Sequence, residues 1–169
     1  MELDRRPGTY VLLYRSRKSS RVQVGQLGPL LVRTGWYAYV GSAFGPGGLY
    51  ARVSRHVRGA ETLRWHVDYL RRVVTPKAAW FAPGPNRLEH LWARALERAP
   101  SSEIPIGHFG SSDCGCHSHL FFFHRRPNPE LLGPRVCELS VGAGGRLATL
   151  PRPSERVYPD DLNTTGNGA

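Results

Sequence analysis

Several side chains that can bind a metal ion or react lie in one short segment, residues 113–119, with the sequence Asp-Cys-Gly-Cys-His-Ser-His. Thiolates beside imidazoles are typical ligands of Zn²⁺. The Cys-x-Cys spacing of Cys114 and Cys116 is tighter than that of zinc fingers, so His66 or Cys137 would have to complete a site with His119. Two alternatives stay open: the cysteines form a buried turn of small residues, or they sense redox state.

A second chemical pattern is the segment Trp-His-Val-Asp-Tyr-Leu at residues 65–70. His66 and Asp68 share a face on a strand but not on a helix. The pair could transfer a proton or bind a metal. The alternative is structural, with Asp68 anchoring loop amides and His66 packed as a neutral imidazole. Together the two segments define a possible second site: His66, Asp68, Asp113, Cys114, Cys116 and His119.

The charge is unevenly distributed along the 169 residues. The chain carries a formal net charge of +10, and residues 1–58 contain ten basic and two acidic side chains. The positive electrostatic field of this N-terminal third favours a densely anionic partner, of which nucleic acid is the commonest. The alternative is an ordinary solvated basic surface.

Hydrophobic periodicity predicts a mixed set of elements. Leu49, Val53 and Val57 recur at helical spacing and predict one helix, while short apolar or aromatic runs predict strands. We expect strands at residues 10–14, 22–24, 30–32, 36–40, 78–81 and 120–124, further helices at 63–72 and 86–98, and a terminal hairpin pairing 136–139 with 146–150.

These elements predict an α/β protein of the α+β kind, with a small central antiparallel or mixed sheet flanked by helices. An added hairpin is expected between the strands that bear Tyr10 and Tyr39. The expected organisation is a main domain at residues 1–126, a hairpin extension at 127–150 and a mobile tail at 151–169. No apolar run approaches the roughly 20 residues of a membrane span, and three cysteines do not make a disulfide framework. We therefore expect a cytoplasmic, nucleoid-associated protein without membrane contact.

Five segments in order resemble the GIY-YIG nuclease family across residues 8 to about 124. They are Gly-Thr-Tyr at 8–10, Tyr-Val-Gly at 39–41, the glycine-led helix at 49–56, and the segments at 65–70 and 109–116. The last two make the chain similar to a branch of unknown function, found alone or fused to endonuclease III-type repair enzymes. The chain departs from compact members in the 28 residues between the two tyrosines.

The resemblance implies roles for individual residues. Tyr10 and Tyr39 would orient and activate a water molecule, Arg52 would clamp the phosphate, and Glu89 would hold one Mg²⁺ or Mn²⁺ ion. His56 would contact the phosphate or donate a proton, and the alternative is that it only caps or packs. Two further basic residues of the same helix would contact nucleic acid, Arg55 and Arg58.

The expected function is therefore metal-dependent hydrolysis of DNA phosphodiester bonds in repair or processing, with branched, flap or damaged DNA as the substrate. RNA stays open as a substrate. The alternative is a non-catalytic nucleic-acid-binding accessory module, stabilised by zinc at the cysteine and histidine segment.

Overall fold

The computed structural model describes residues 3–149 and contains three helices and eight strands in that range. The helices are α1 (Gly48–Arg58), α2 (His66–Leu70) and α3 (Glu89–Glu97). The strands are β1 (Gly8–Ser16), β2 (Ser20–Val24), β3 (Gly28–Val32), β4 (Gly35–Ser42), β5 (Thr75–Pro83), β6 (Leu120–Phe123), β7 (Cys137–Val141) and β8 (Leu147–Thr149).

Six strands form one sheet in the order β6-β4-β1-β5-β7-β8, and every neighbouring pair is antiparallel. β1 lies inside this sheet and is buried on both faces, which explains its nearly continuous apolar run. Tyr10, Leu12 and Tyr14 belong to the core on one face, and Val11 and Leu13 to the core on the other.

Helices cover both faces of the sheet. The predicted stripe of α1, formed by Leu49, Val53 and Val57, is fully buried against the face that bears the tyrosines. α3 packs Trp92 and Leu96 against the opposite face. The predicted α+β class, a central antiparallel sheet with flanking helices, is confirmed.

The added hairpin between the two tyrosine-bearing strands consists of β2 and β3, which pair with each other in a separate two-stranded sheet. Val24, Leu30 and Val32 of this hairpin are buried in the tyrosine-side core. The hairpin therefore covers part of the sheet without adding a strand to it.

Most strands begin or end a few residues away from the expected bounds. Three further differences concern α2, α3 and the terminal hairpin. α2 begins only at His66, because Arg64 and Trp65 donate their backbone N–H groups to the Asp68 carboxylate instead of starting a helix at residue 63. α3 begins at Glu89 rather than at residue 86. The hairpin of β7 and β8, expected as an extension, joins the main sheet through the pairing of β7 with β5. The tail expected at residues 151–169 lies outside the described residues.

Between residues 3 and 149, no helix combines the length and the apolar character that crossing a membrane requires.

Candidate active site and metal centre

A cavity of about 600 Å³ lies at the end of the sheet where β1 begins and β4 ends. Tyr10, Tyr39, Arg52 and Glu89 all line it, although they come from four different elements. The structure thus brings together the four residues to which the resemblance assigned the main roles. The wall also includes Ser42, Arg64, Trp65, His66, Arg87, His90, Asp113, Cys114 and His119.

Strand register places the two tyrosines side by side. Tyr10 pairs with Gly41 and Tyr39 pairs with Leu12, so the tyrosines are diagonal neighbours on one face of the sheet. A Cβ atom at Gly41 would overlap the Tyr10 hydroxyl, so the glycine of the Tyr-Val-Gly segment makes room for that group.

Both phenols are deeply buried at the cavity wall, with Tyr10 1% and Tyr39 7% exposed. Burial raises the pKa of each phenol well above its ordinary value, and the positive charge of Arg52 opposes this rise only in part. Both tyrosines are therefore neutral at neutral pH. A neutral phenol can donate one hydrogen bond and accept others.

Aromatic rings support the guanidinium groups at the cavity mouth. Arg52 lies 4.4 Å from the centre of the Trp65 ring, and Arg87 lies 4.3 Å from the centre of Phe44. Arg64 also contacts the Trp65 ring, at 5.6 Å. Cation–π contacts of this kind hold arginines in place without neutralising them, so the mouth keeps its positive charge.

Asp68 is a buried anchor that lies behind the cavity wall. Its carboxylate accepts two hydrogen bonds from Arg55, at 2.9 and 3.0 Å, and backbone bonds from Arg64 and Trp65. Burial alone would raise the pKa of Asp68, but these bonds and the contact with His56 hold it well below its ordinary value. Both carboxylate oxygens are thus occupied, which leaves none to complete the second site expected from sequence.

The three remaining basic residues of α1 do not line the cavity. Arg55 is held by Asp68, and His56 lies behind the tyrosines, with its ring centre 6.1 Å from that of Tyr10 and 6.3 Å from that of Tyr39. Burial lowers the pKa of His56. Arg58 lines a separate cavity near the end of α1 together with Arg71.

A loop at residues 108–119 closes one side of the cavity. Two backbone hydrogen bonds join its ends, between His108 and His117 and between His119 and Phe109. His66 fixes the loop to α2, because its Nδ1 accepts the N–H of Gly110 at 3.0 Å. Burial lowers the pKa of His66, which favours this neutral acceptor form. His66 therefore holds the loop and is not a member of the cysteine cluster.

The loop places Cys114, Cys116 and His119 beside His90, the second residue of α3. One potential ligand atom from each of the four residues lies within 4.8 Å of the others. Nδ1 of His90 is 3.4 Å from Sγ of Cys116, and Nε2 of His119 is 3.5 Å from Sγ of Cys114. These four residues, the thiol cluster, could bind a metal ion.

Sequence reasoning missed His90. It expected His66 or Cys137 to complete the cluster, but His66 binds Gly110 and Cys137 lies on β7 opposite Phe81. The adjacency of Glu89 and His90 at the start of a helix was the only available indication in the sequence. Asp113 lines the cavity without contributing a ligand atom to the cluster.

Glu89 lies between the thiol cluster and the rest of the cavity. Its Oε1 is 3.3 Å from Nδ1 of the buried His119, an ion-pair distance without hydrogen-bond alignment. Burial favours the protonated acid, but the interactions with His119 and Ser42 lower the pKa of Glu89 below its ordinary value. Glu89 is therefore ionised at neutral pH.

Fold and site together define a small α+β domain with a basic cavity and an adjoining set of metal-ligating side chains. The model of one protein family, the domain of unknown function DUF123, matches residues 9–139, and the chain belongs to that family. None of the curated proteins and none of the solved structures matches the chain.

Proposed function

We propose that this protein is a metal-dependent endonuclease that hydrolyses phosphodiester bonds in DNA. The observation that supports it is the convergence of Tyr10, Tyr39, Arg52 and Glu89 on one cavity. The resemblance of residues 8–124 to GIY-YIG nucleases supports the same function. The excess of basic residues in the first 58 positions is in accord with a phosphate-rich substrate.

In this proposal the scissile phosphate lies against Arg52. The guanidinium stabilises the charge that builds up on the phosphate oxygens as water attacks the phosphorus. The new P–O bond forms from water while the bond to the leaving oxygen breaks, and the water proton is released to solvent or to the leaving oxygen. Tyr10 and Tyr39 orient the attacking water as neutral phenols, because burial holds both pKa values far above neutrality.

Two kinds of ligand favour two kinds of metal ion. Glu89 offers a hard, ionised carboxylate at the cavity wall, which suits Mg²⁺ or Mn²⁺ because such ions take one or two carboxylates and keep several waters. A divalent ion there would supply Lewis-acid stabilisation of the phosphate. The thiol cluster offers sulfur and imidazole, which suit zinc.

A nicking assay tests the proposal. Supercoiled plasmid and flap DNA are incubated with Mg²⁺ or Mn²⁺ and with wild-type protein, Arg52→Ala or Glu89→Ala. We expect each variant to cleave at least about 100-fold more slowly than wild type. Arg135→Ala is the charge-matched control, because Arg135 is exposed and lines a different cavity, and its rate should stay near that of wild type. Equal rates for all four proteins would overturn the assigned roles.

The second candidate is a nucleic-acid-binding module without catalysis. The observation that favours it is the deep burial of both tyrosines in their neutral form, which leaves no phenolate to deprotonate water. Wild-type protein that binds DNA or RNA with steep salt dependence and cleaves neither with any divalent ion would establish this candidate.

A further inference from the structure

We propose that His90, Cys114, Cys116 and His119 hold one zinc ion as a closed centre, and that this centre orients Glu89 through His119. The first half depends only on the four side chains. The second half rests on the proposed function, because it gives Glu89 its position in the catalytic cavity.

Two of the six separations between the ligand atoms match the edges of a tetrahedral zinc centre, and all six are within 4.8 Å. Bonds of about 2.3 Å to sulfur and about 2.0–2.1 Å to nitrogen set sulfur–nitrogen separations of about 3.6 Å. The structure places His90 Nδ1 at 3.4 Å from Cys116 Sγ and His119 Nε2 at 3.5 Å from Cys114 Sγ. Two edges of the tetrahedron are therefore already formed.

The number of ligands defines the kind of centre. Four protein ligands fill the coordination sphere of zinc, whereas catalytic zinc keeps one position open for water. The ion would thus tie the loop at residues 108–119 to α3, to which the loop also connects through the contacts His90–Cys116, His119–Glu89 and His117–Glu97. Its function is to hold two parts of the cavity wall together.

The contact between His119 and Glu89 extends the centre into the cavity. A metal-bound histidine generally donates its second ring N–H to a carboxylate, which fixes the ring and raises its basicity as a ligand. When Nε2 of His119 faces Cys114, Nδ1 faces Oε1 of Glu89 at 3.3 Å. Nδ1 is buried and forms no aligned hydrogen bond within residues 3–149, so Glu89 Oε1 at this distance is the carboxylate oxygen that would accept its N–H in the zinc centre.

Metal analysis of the full chain tests the first half. Protein purified without chelator should contain about one zinc per chain, and its Co²⁺ form should show tetrahedral d–d bands and a thiolate-to-cobalt charge-transfer band. His90→Ala, Cys114→Ser and Cys116→Ser should lose the ion, whereas Cys137→Ser, a cysteine outside the cluster, should keep it. Because His90 is exposed, His90→Ala gives a result even if a cysteine variant fails to fold. A folded wild type with neither zinc nor a charge-transfer band would overturn the proposal.

Zinc affinity, measured by competition with a chromophoric chelator, tests the coupling to Glu89. Glu89→Gln should bind zinc about 10–100-fold more weakly than wild type, the usual effect of removing a carboxylate partner of a metal-bound histidine. Glu97→Gln is the control on the same helix, since Glu97 contacts His117 and not His119. Unchanged zinc affinity in Glu89→Gln would overturn the second half.

Mn²⁺ binding to the cavity, followed by electron paramagnetic resonance, provides the reciprocal measurement. Removal of zinc should weaken Mn²⁺ binding, because both ions depend on the position of Glu89. Wild type that binds zinc as described but neither Mn²⁺ nor DNA would contradict the nuclease proposal and keep the zinc centre. Wild-type protein that cleaves DNA but contains no zinc would contradict the zinc centre and keep the nuclease proposal.

Discussion

The cavity has two walls that are built in different ways. The tyrosine wall consists of Tyr10, Tyr39 and Arg52, which lie on two paired strands and one helix packed against them. The other wall includes His90, Cys114 and His119 of the thiol cluster, and three of the four residues of that cluster belong to a loop. One wall offers oxygen and guanidinium groups, the other sulfur and imidazole.

The difference between the two walls concerns what keeps the side chains in place. In the tyrosine wall, the β1–β4 ladder fixes the register, and the Asp68 anchor holds the segment before α2 behind it. In the thiol cluster, the backbone hydrogen bonds within the loop and the proposed metal ion keep the side chains in place. Mutations should therefore affect the stability or chemistry of one wall without the other.

The largest effect is expected from Asp68→Asn, which removes the anchor behind the tyrosine wall. The substitution leaves Arg55 without its buried partner, so the free energy of unfolding should fall by about 3–5 kcal/mol in urea titrations. Asp4→Asn is the control, because the Asp4–Arg6 pair is exposed and should contribute less than about 1 kcal/mol. Similar losses in both variants would contradict the buried anchor.

The same carboxylate makes stability dependent on pH. The pKa of Asp68 is lower in the folded chain than in the unfolded chain, where it is about 3.9. Its contribution is therefore complete above that value and is lost as pH falls towards the folded pKa, because the unfolded chain binds the proton first. Urea midpoints between neutral and acid pH should fall more steeply for wild type than for Asp68→Asn. Parallel curves would show that Asp68 is not the group responsible.

Removal of one phenol tests the chemistry of the tyrosine wall. Tyr39→Phe and Tyr10→Phe should lower kcat about 100–1000-fold if each hydroxyl orients the reacting groups. Tyr14→Phe is the matched control, because Tyr14 lies on the same face of β1 and its buried hydroxyl has no hydrogen-bond partner among residues 3–149. A loss of kcat in Tyr14→Phe equal to that in Tyr39→Phe would point to general damage to the sheet.

The smallest effect is expected from chelation of metal at the thiol cluster. An ion present at 100 times its Kd stabilises the folded state by about 2.7 kcal/mol, and its removal should lower the Tm accordingly. Backbone amide exchange should accelerate at Cys114 and His119 while β1 stays protected. Faster exchange in β1 would show that the two walls are not independent.

The elements of the tyrosine wall could be predicted from periodic patterns, whereas its functional residues were identified by the resemblance to GIY-YIG nucleases. The stripe Leu49, Val53 and Val57 predicts α1, and the two-residue period of a strand places Tyr10 on the same face as Tyr14. The hairpin was predicted from the 28 residues that separate the two tyrosines and from the short strand candidates within them. The predictions that the structure confirms are therefore mainly those of helices and strands, whose positions follow from local periodicity.

The thiol cluster could not be predicted in full, because its residues meet through loop geometry. His90 and Cys116 are separated by 26 positions, and no periodicity connects a helix start with a loop. Asp68 shows the same limit: its carboxylate redirects the chain before α2, so the helix is shorter than its apolar pattern predicts. Arg64 and Arg87 are held at the cavity by cation–π contacts with Trp65 and Phe44. The Arg87–Phe44 contact depends on the tertiary structure and has no signal in the sequence.

The hairpin of β2 and β3 leaves the sheet at a point where Ser16 already faces Gly35. The alignment of the two tyrosines is therefore independent of the length of the segment that connects them. A residue added within β1 would turn the following side chains to the opposite face, whereas a residue added at Gly25–Leu27 lies outside the main ladder. A residue inserted in this turn therefore leaves the β1–β4 register unchanged, although it must preserve the packing of Leu27 against the core.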